Sequence, residues 1–281
     1  MDAYGILTDD ADLARADLGD VTYYFTDQVD GSREEPLEGA VSSVACWGDT
    51  ETVRENPDRA AVAADGTRAT PAARGQDWGT VCPTDPDYRA DLLERIAEAG
   101  ATGDVRLTTL GFPGAEFCHC QRCDRLFADS AHDDREDWRA DVITGFVAEA
   151  ADRVAGELIA TLYPDPYPGA LRERTGLDPG ALASHVDGFL VPLCGAGYGT
   201  TYWVESLASG FDRELAGLDA EFAIQLSTDG VEIDRLVDLT HRLEAAVDVD
   251  SVVYGAYGSD RETLRDVIGR LRETDAPAAP A

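Results

Sequence analysis

Short runs of apolar, β-branched and aromatic residues recur at 4–8, 21–25, 41–47, 105–110, 158–163, 189–193, 222–226 and 252–257. Such short runs, bounded by Gly, Asp or Pro, suit buried strands better than helices. The segments between them mostly change to a helical period. Residues 85–99 place Leu92, Leu93 and Ile96 on one face and stop at Gly100, and 138–154 repeats Val142, Phe146, Val147 and Ala150. Further helices fit 204–215, 231–246 and 261–272, with a short one at 10–18. Eight strands alternating with helices predict one α/β domain over 1–274, a (β/α)8 TIM barrel, with a doubly wound sheet as the alternative. Two features favour the barrel. No nucleotide-binding glycine fingerprint follows an early strand, and polar or aromatic residues follow nearly every strand, as at the C-terminal face of a barrel.

Two stretches fall outside this rhythm. Residues 49–80 are rich in Ala, Gly, Arg and Asp, and a loop that long inside a compact domain is usually functional. The pattern predicts an excursion after the third strand, with a small hairpin at Asp65-Gly66. The Pro- and Ala-rich end, 275–281, reads as a disordered tail.

Charge narrows the function. The 281 residues carry 55 acidic and 23 basic side chains, a formal net charge of −32, and every base is an arginine. Such a surface repels nucleic acid and anionic membranes. Its self-repulsion opposes folding in dilute salt, whereas a Debye length of about 3 Å at molar salt removes most of that cost. The composition therefore predicts a halophilic, acidic protein from a salt-accumulating, haloarchaeal cytoplasm. Without lysine the chain cannot perform Schiff-base, pyridoxal, P-loop or kinase chemistry. It also lacks His-Glu-x-x-His and Gly-x-Ser-x-Gly. No apolar run approaches the roughly 18 residues of a membrane span, and the N-terminus lacks a signal pattern, so the expectation is a cytoplasmic protein with neither membrane nor nucleic-acid partner.

The strongest chemical signal is Cys82 in Val-Cys-Pro-Thr-Asp-Pro, followed by Cys118-His119-Cys120-Gln121-Arg122-Cys123. Three thiols within six residues and a fourth from a separate loop suit a closed tetrahedral thiolate site for zinc. Buried inert thiols, or a redox pair of Cys118 and Cys120, are the alternatives, and His119 could replace one thiol as ligand. Reducing cytoplasm favours a metal over a disulfide. Cys46 and Cys194 stand alone in apolar runs and read as inert.

The stretch from Cys82-Pro-Thr-Asp-Pro-Asp-Tyr88-Arg89 to Cys118-His-Cys-Gln-Arg-Cys123-Asp-Arg-Leu-Phe127 resembles the zinc-containing family 42 glycoside hydrolases, the β-galactosidases, and related glycosidase-like barrels. The match covers about 45 residues. The resemblance implies a structural zinc held by Cys82, Cys118, Cys120 and Cys123. In that family the strand before the cluster ends in an Asn-Glu that supplies the acid, whereas this chain reads Leu107-Thr108-Thr109-Leu110-Gly111-Phe112-Pro113. Glu116 is the nearest substitute. Asp229, after the seventh strand, matches the nucleophile position, although Asp before Gly-Val-Glu also suits a helix N-cap. Asp27, after the second strand, is another candidate acid.

Trp47, Tyr163, Tyr198, Trp203 and Tyr257 follow strands, where aromatic faces would stack on a sugar or simply finish barrel layers. The expectation is a glycosidase-like barrel that acts on or binds a carbohydrate, with a catalytically degenerate ligand-binding or scaffold barrel as the rival. Retaining or inverting hydrolysis needs two carboxyls, roughly 5–9.5 Å apart.

Overall fold

The computed structural model describes residues 3–275 apart from 166, 168, 196, 197 and 199, so the tail expected at 275–281 lies, beyond its first residue, outside the described residues. All eight expected runs are strands: β1 (Ala3–Thr8), β2 (Val21–Phe25), β3 (Val41–Ala45), β4 (Val105–Thr108), β5 (Leu158–Thr161), β6 (Gly188–Pro192), β7 (Glu221–Leu226) and β8 (Ser251–Tyr254). Each pairs in parallel with its neighbour in sequence, and β8 pairs with β1 to close the barrel. The fold is a (β/α)8 TIM barrel.

Alternation along the strands divides the side chains into two populations. Leu7, Tyr23, Val41, Ile159, Leu190, Ala223 and Val253 fill the interior as one buried cluster. The residues of opposite parity on the same and neighbouring strands, such as Ile6, Val44, Val105, Leu107 and Val252, face outward into the larger core beneath the helices. On β4 this places Arg106 and Thr108 inside the barrel, and the Arg106 guanidinium carbon lies 5.6 Å and 5.7 Å from the centres of the interior rings Tyr23 and Phe25.

The helices are α1 (Ala11–Ala14), α2 (Thr50–Glu55), α3 (Pro86–Gly100), α4 (Gln121–Ala128), α5 (Arg135–Ala151), α6 (Ala170–Thr175), α7 (Pro179–Leu182), α8 (Tyr202–Leu215), α9 (Ile233–Ala246) and α10 (Arg261–Asp275). Periodicity locates the long ones because each buries a stripe: Leu92, Leu93 and Ile96 on α3, and Trp138, Ile143, Phe146 and Val147 on α5. Caps set their starts. Asp85 accepts from Tyr88 N at the head of α3, and Asp134 accepts from Glu136 N before α5, three residues earlier than the apolar pattern suggests. The short helices α2, α4, α6 and α7 have too few turns for a period to show.

The excursion 49–80 is ordered. Asp49 caps α2, and Val62 bridges Arg68 across the turn at Asp65-Gly66, where Gly66 takes φ +88°. The expected hairpin is thus a single bridge around a tight turn. Among the described residues, no helix is long and apolar enough to cross a membrane.

Candidate functional site

Two regions carry chemistry: the cysteine cluster on the barrel's flank and a cavity at its mouth. In the cluster, the Sγ atoms of Cys82, Cys118, Cys120 and Cys123 all lie within 4.8 Å of one another. Cys82 Sγ is 3.8 Å from Cys120 Sγ and 3.4 Å from Cys123 Sγ. Four sulfurs each about 2.3 Å from a zinc stand roughly 3.8 Å apart, so the residues fit a tetrahedral ion with little movement. Hydrogen bonds among the sulfurs, those from Cys118 first, hold Cys120 far below the ordinary thiol range and push Cys123 far above it. The four groups therefore compete for charge, and a divalent cation that takes all of them as thiolates removes the conflict. His119 stands outside the group, with Nδ1 3.8 Å from Asp124.

The backbone around the cluster is tied down from three sides. Cys120 caps α4 and accepts from Cys123 N at 3.4 Å, while Arg122 reaches Asp85, the cap of α3, at 2.9 Å. Val62 N donates to Cys118 Sγ at 3.3 Å, and His119 N donates to Val62 O at 2.7 Å. Arg139 donates to the carbonyls of Gly114, Ala115 and Phe117 at 3.0, 3.2 and 2.7 Å. The cluster thus joins the excursion to the loop after β4. Those same two segments form one wall of the cavity, through residues 75–78 and 109–114.

The cavity, of about 540 Å³, opens at the C-terminal ends of the strands. Its floor is made of Phe25, Arg106, Thr108, Thr161 and Gln225, and its rim includes Trp78, Phe112, Tyr163 and Arg174. Size, position and a mostly apolar lining with a few polar groups suit a small-molecule site. Thr109, the first residue beyond β4, takes φ +45°, a left-handed conformation costly for a β-branched residue, and its Oγ1 accepts from Gly48 N at 3.1 Å. At the rim, Arg174 donates to Asp165 and to the Tyr163 hydroxyl, each at 2.9 Å. Asp77, on the exposed side of the excursion, is the one carboxylate among the described lining residues.

The carboxylates expected to act do not meet. Asp27 is buried beside Arg95 of α3, with which it is ion-paired; burial pushes its carboxyl up and Arg95 pulls it back. Asp229 is exposed in a turn with Gly230 and does not cap α9, whose N-cap is Glu232. Glu116 is exposed two residues before Cys118. None of the three lines the cavity.

Of the aromatic candidates, Tyr163 lines the cavity. Trp47 is fully buried, 4.7 Å from the Phe146 ring centre and 6.1 Å from that of Tyr88, which leaves no face for a ligand. Tyr198 is also fully buried: its hydroxyl accepts from Ser227 N at 2.7 Å and its ring stacks on Trp203 at 6.2 Å, so the pair fastens the loop after β6 to the loop after β7. Tyr257 is exposed and meets Phe25 edge-on. Arg106, Thr108, Thr161 and Gln225 escape a reading that searches strand ends for acids and rings. The signal was the alternation itself, because Val105 and Leu107 facing outward put Arg106 and Thr108 inside.

No protein-family model matches this chain, and a search of curated proteins returns no match. Solved structures do resemble it. The α-L-fucosidase isoenzyme 2 of Paenibacillus thiaminolyticus superposes with a TM-score of 0.66 at 12% identity, covering 98% of this chain and 49% of the fucosidase. A GH18 chitinase from Pseudoalteromonas aurantia gives 0.51 at 9% identity, over 97% of this chain and 99% of the chitinase. An α-amylase from Lactobacillus plantarum gives 0.50 at 12% identity, over 91% and 70%. This chain spans about half the length of the fucosidase. At these identities the likeness is one of fold: a barrel of the kind found in glycoside hydrolases. These likenesses do not show membership of the zinc-containing β-galactosidases.

Proposed function

We propose that this chain is a glycosidase-like barrel that binds a carbohydrate in its mouth cavity without cleaving it, and that the four cysteines hold a structural zinc. The observation that carries the reading is the composition of the cavity wall. It offers hydroxyls, an amide, arginines and aromatic faces suited to a polyhydroxylated ligand, with the single exposed carboxylate of Asp77, whereas hydrolysis uses two carboxyls roughly 5–9.5 Å apart. Cys82, Cys118, Cys120 and Cys123 would hold the zinc, which would offset half the charge of four thiolates and tie together the two loops that make one cavity wall; the chemistry of the mouth belongs to the chain's own side chains. The acidic, lysine-free composition supports a halophilic, cytoplasmic setting.

The test joins titration calorimetry with a panel of mono- and disaccharides to assays on aryl glycosides, both in molar potassium chloride. Binding of a sugar with turnover at the uncatalysed rate is expected. Robust hydrolysis would restore the enzyme reading, and a full panel with neither binding nor turnover would remove the carbohydrate.

A further inference from the structure

Three arginines are drawn into this protein's interior; Arg95 and Arg139 each keep buried nitrogens without a partner, Nε and Nη2 on Arg95 and Nε on Arg139, but both have strong partners for the rest of the guanidinium. Arg95 pairs with Asp27, and Arg139 donates to the carbonyls of Gly114, Ala115 and Phe117. Arg106 is different. It is 3% exposed on the cavity floor, its Nε and Nη1 are buried without a hydrogen-bond partner, and no carboxylate of the described residues pairs with it. The faces of Tyr23 and Phe25 lie against it, and the Cys194 thiol is a further electrostatic neighbour. Beside it on the floor, the buried Thr161 hydroxyl also lacks a partner.

A guanidinium does not escape this position by losing its proton: burial lowers its pKa to about 10, which leaves it charged at neutral pH. An uncompensated buried charge is strongly unfavourable, and the usual remedy is an opposite charge. The chain has 55 acidic side chains, and none of those among the described residues pairs with Arg106. The net charge of −32 does not forbid an anion here, since in molar salt fields decay within about 3 Å and the local cation decides.

We propose that the ligand of this cavity carries an anionic group, a carboxylate or a phosphate on a polyhydroxylated body, and that Arg106 is the residue that binds that group, with Thr161 and Thr108 beside it. Arg174 is already engaged by Asp165 and serves the rim. The inference rests on the carbohydrate reading and narrows it to acidic sugars.

The experiment titrates the wild-type protein at one fixed molar concentration of potassium chloride, so that chloride competes equally throughout, with glucuronate, glucose 6-phosphate, glucose, acetate and inorganic phosphate. At least one acidic sugar should bind tenfold or more tightly than glucose. Arg106→Met should abolish that preference while its melting temperature without ligand equals or exceeds that of the wild type, which a merely structural arginine would not allow. If the variant does not fold, the proposal is overturned on that count, and the wild-type comparison of glucuronate and glucose 6-phosphate with glucose still decides the ligand's charge. Glucose binding as well as both acidic sugars overturns the anion and leaves the carbohydrate standing. Inorganic phosphate or acetate binding as well as the matching acidic sugar keeps the anion site at Arg106 and removes the carbohydrate. An acidic sugar that binds Arg106→Met undiminished removes Arg106.

Discussion

The cysteine cluster and the barrel mouth differ in how they are built. The cluster draws its ligands from two short segments, and all four groups point at one another within 4.8 Å. The mouth takes about one residue from each of several strands, Phe25 from β2, Arg106 and Thr108 from β4, Thr161 from β5 and Gln225 from β7, which are neighbours only once the barrel closes. The cluster could hold a cation, whereas the mouth already has one in Arg106. A site of the first kind secures structure, because removing any member leaves the others in conflict; a site of the second kind is held by the barrel and can lose a member without losing the fold.

The largest expected effect follows from that difference. Cys120→Ser removes a proposed zinc ligand while serine can still cap α4, and the loops at 59–82 and 109–128 lose their common anchor. The expected cost is on the order of 5 kcal/mol, read by thermal or denaturant unfolding, and chelation of the wild type should approach it. One zinc per chain by elemental analysis accompanies this. A metal-free protein with four titratable thiols and an unchanged melting point would show that the cluster is no more structural than the mouth.

Salt sharpens the contrast by a smaller amount. Screening acts on the large share of the 55 carboxylates and 23 arginines that lies on the surface, whereas thiolate–metal bonds are contact interactions that ions in solution barely touch. The melting temperature should therefore climb by several degrees between low and molar potassium chloride, each kcal/mol contributing about 2–4 °C. Zinc content should stay constant wherever the protein is folded. A flat or falling melting curve would remove the halophilic reading.

The same difference explains what could be read beforehand. Eight strands were legible because each is a compact apolar run, and the long helices because each repeats its buried stripe over several turns. The cysteines were legible because three of them sit within six residues and the fourth, Cys82, stands in a distinct Cys-Pro segment. Arg106 was not, since its meaning depends on what the other strands place around it. Trp47 and Tyr198 were misplaced for the converse reason: a ring after a strand can turn outward under the helices or lock two loops together, and only packing decides. Asp27 looked free until α3 brought Arg95 to it from 68 residues away.

The smallest expected effect concerns Asp229, the position that the resemblance to β-galactosidases assigns to a nucleophile. Its side chain is exposed, it does not cap α9, and it does not line the cavity. What holds its turn is backbone geometry, Gly230 at φ +65° and the Asp229 N–H donating to Ser227 Oγ at 3.2 Å, and Asp229→Asn preserves both. Stability should change by no more than about 0.5 kcal/mol, as for a surface substitution away from caps and cores, and the affinity of any ligand bound in the mouth should stay the same. A loss of catalysis on substitution of a true nucleophile is far larger, many powers of ten rather than a fraction of one. Sugar turnover that vanishes in Asp229→Asn would therefore place a reacting carboxylate outside the cavity described here, and the mouth would be a catalytic centre that closes around its substrate rather than a binding site.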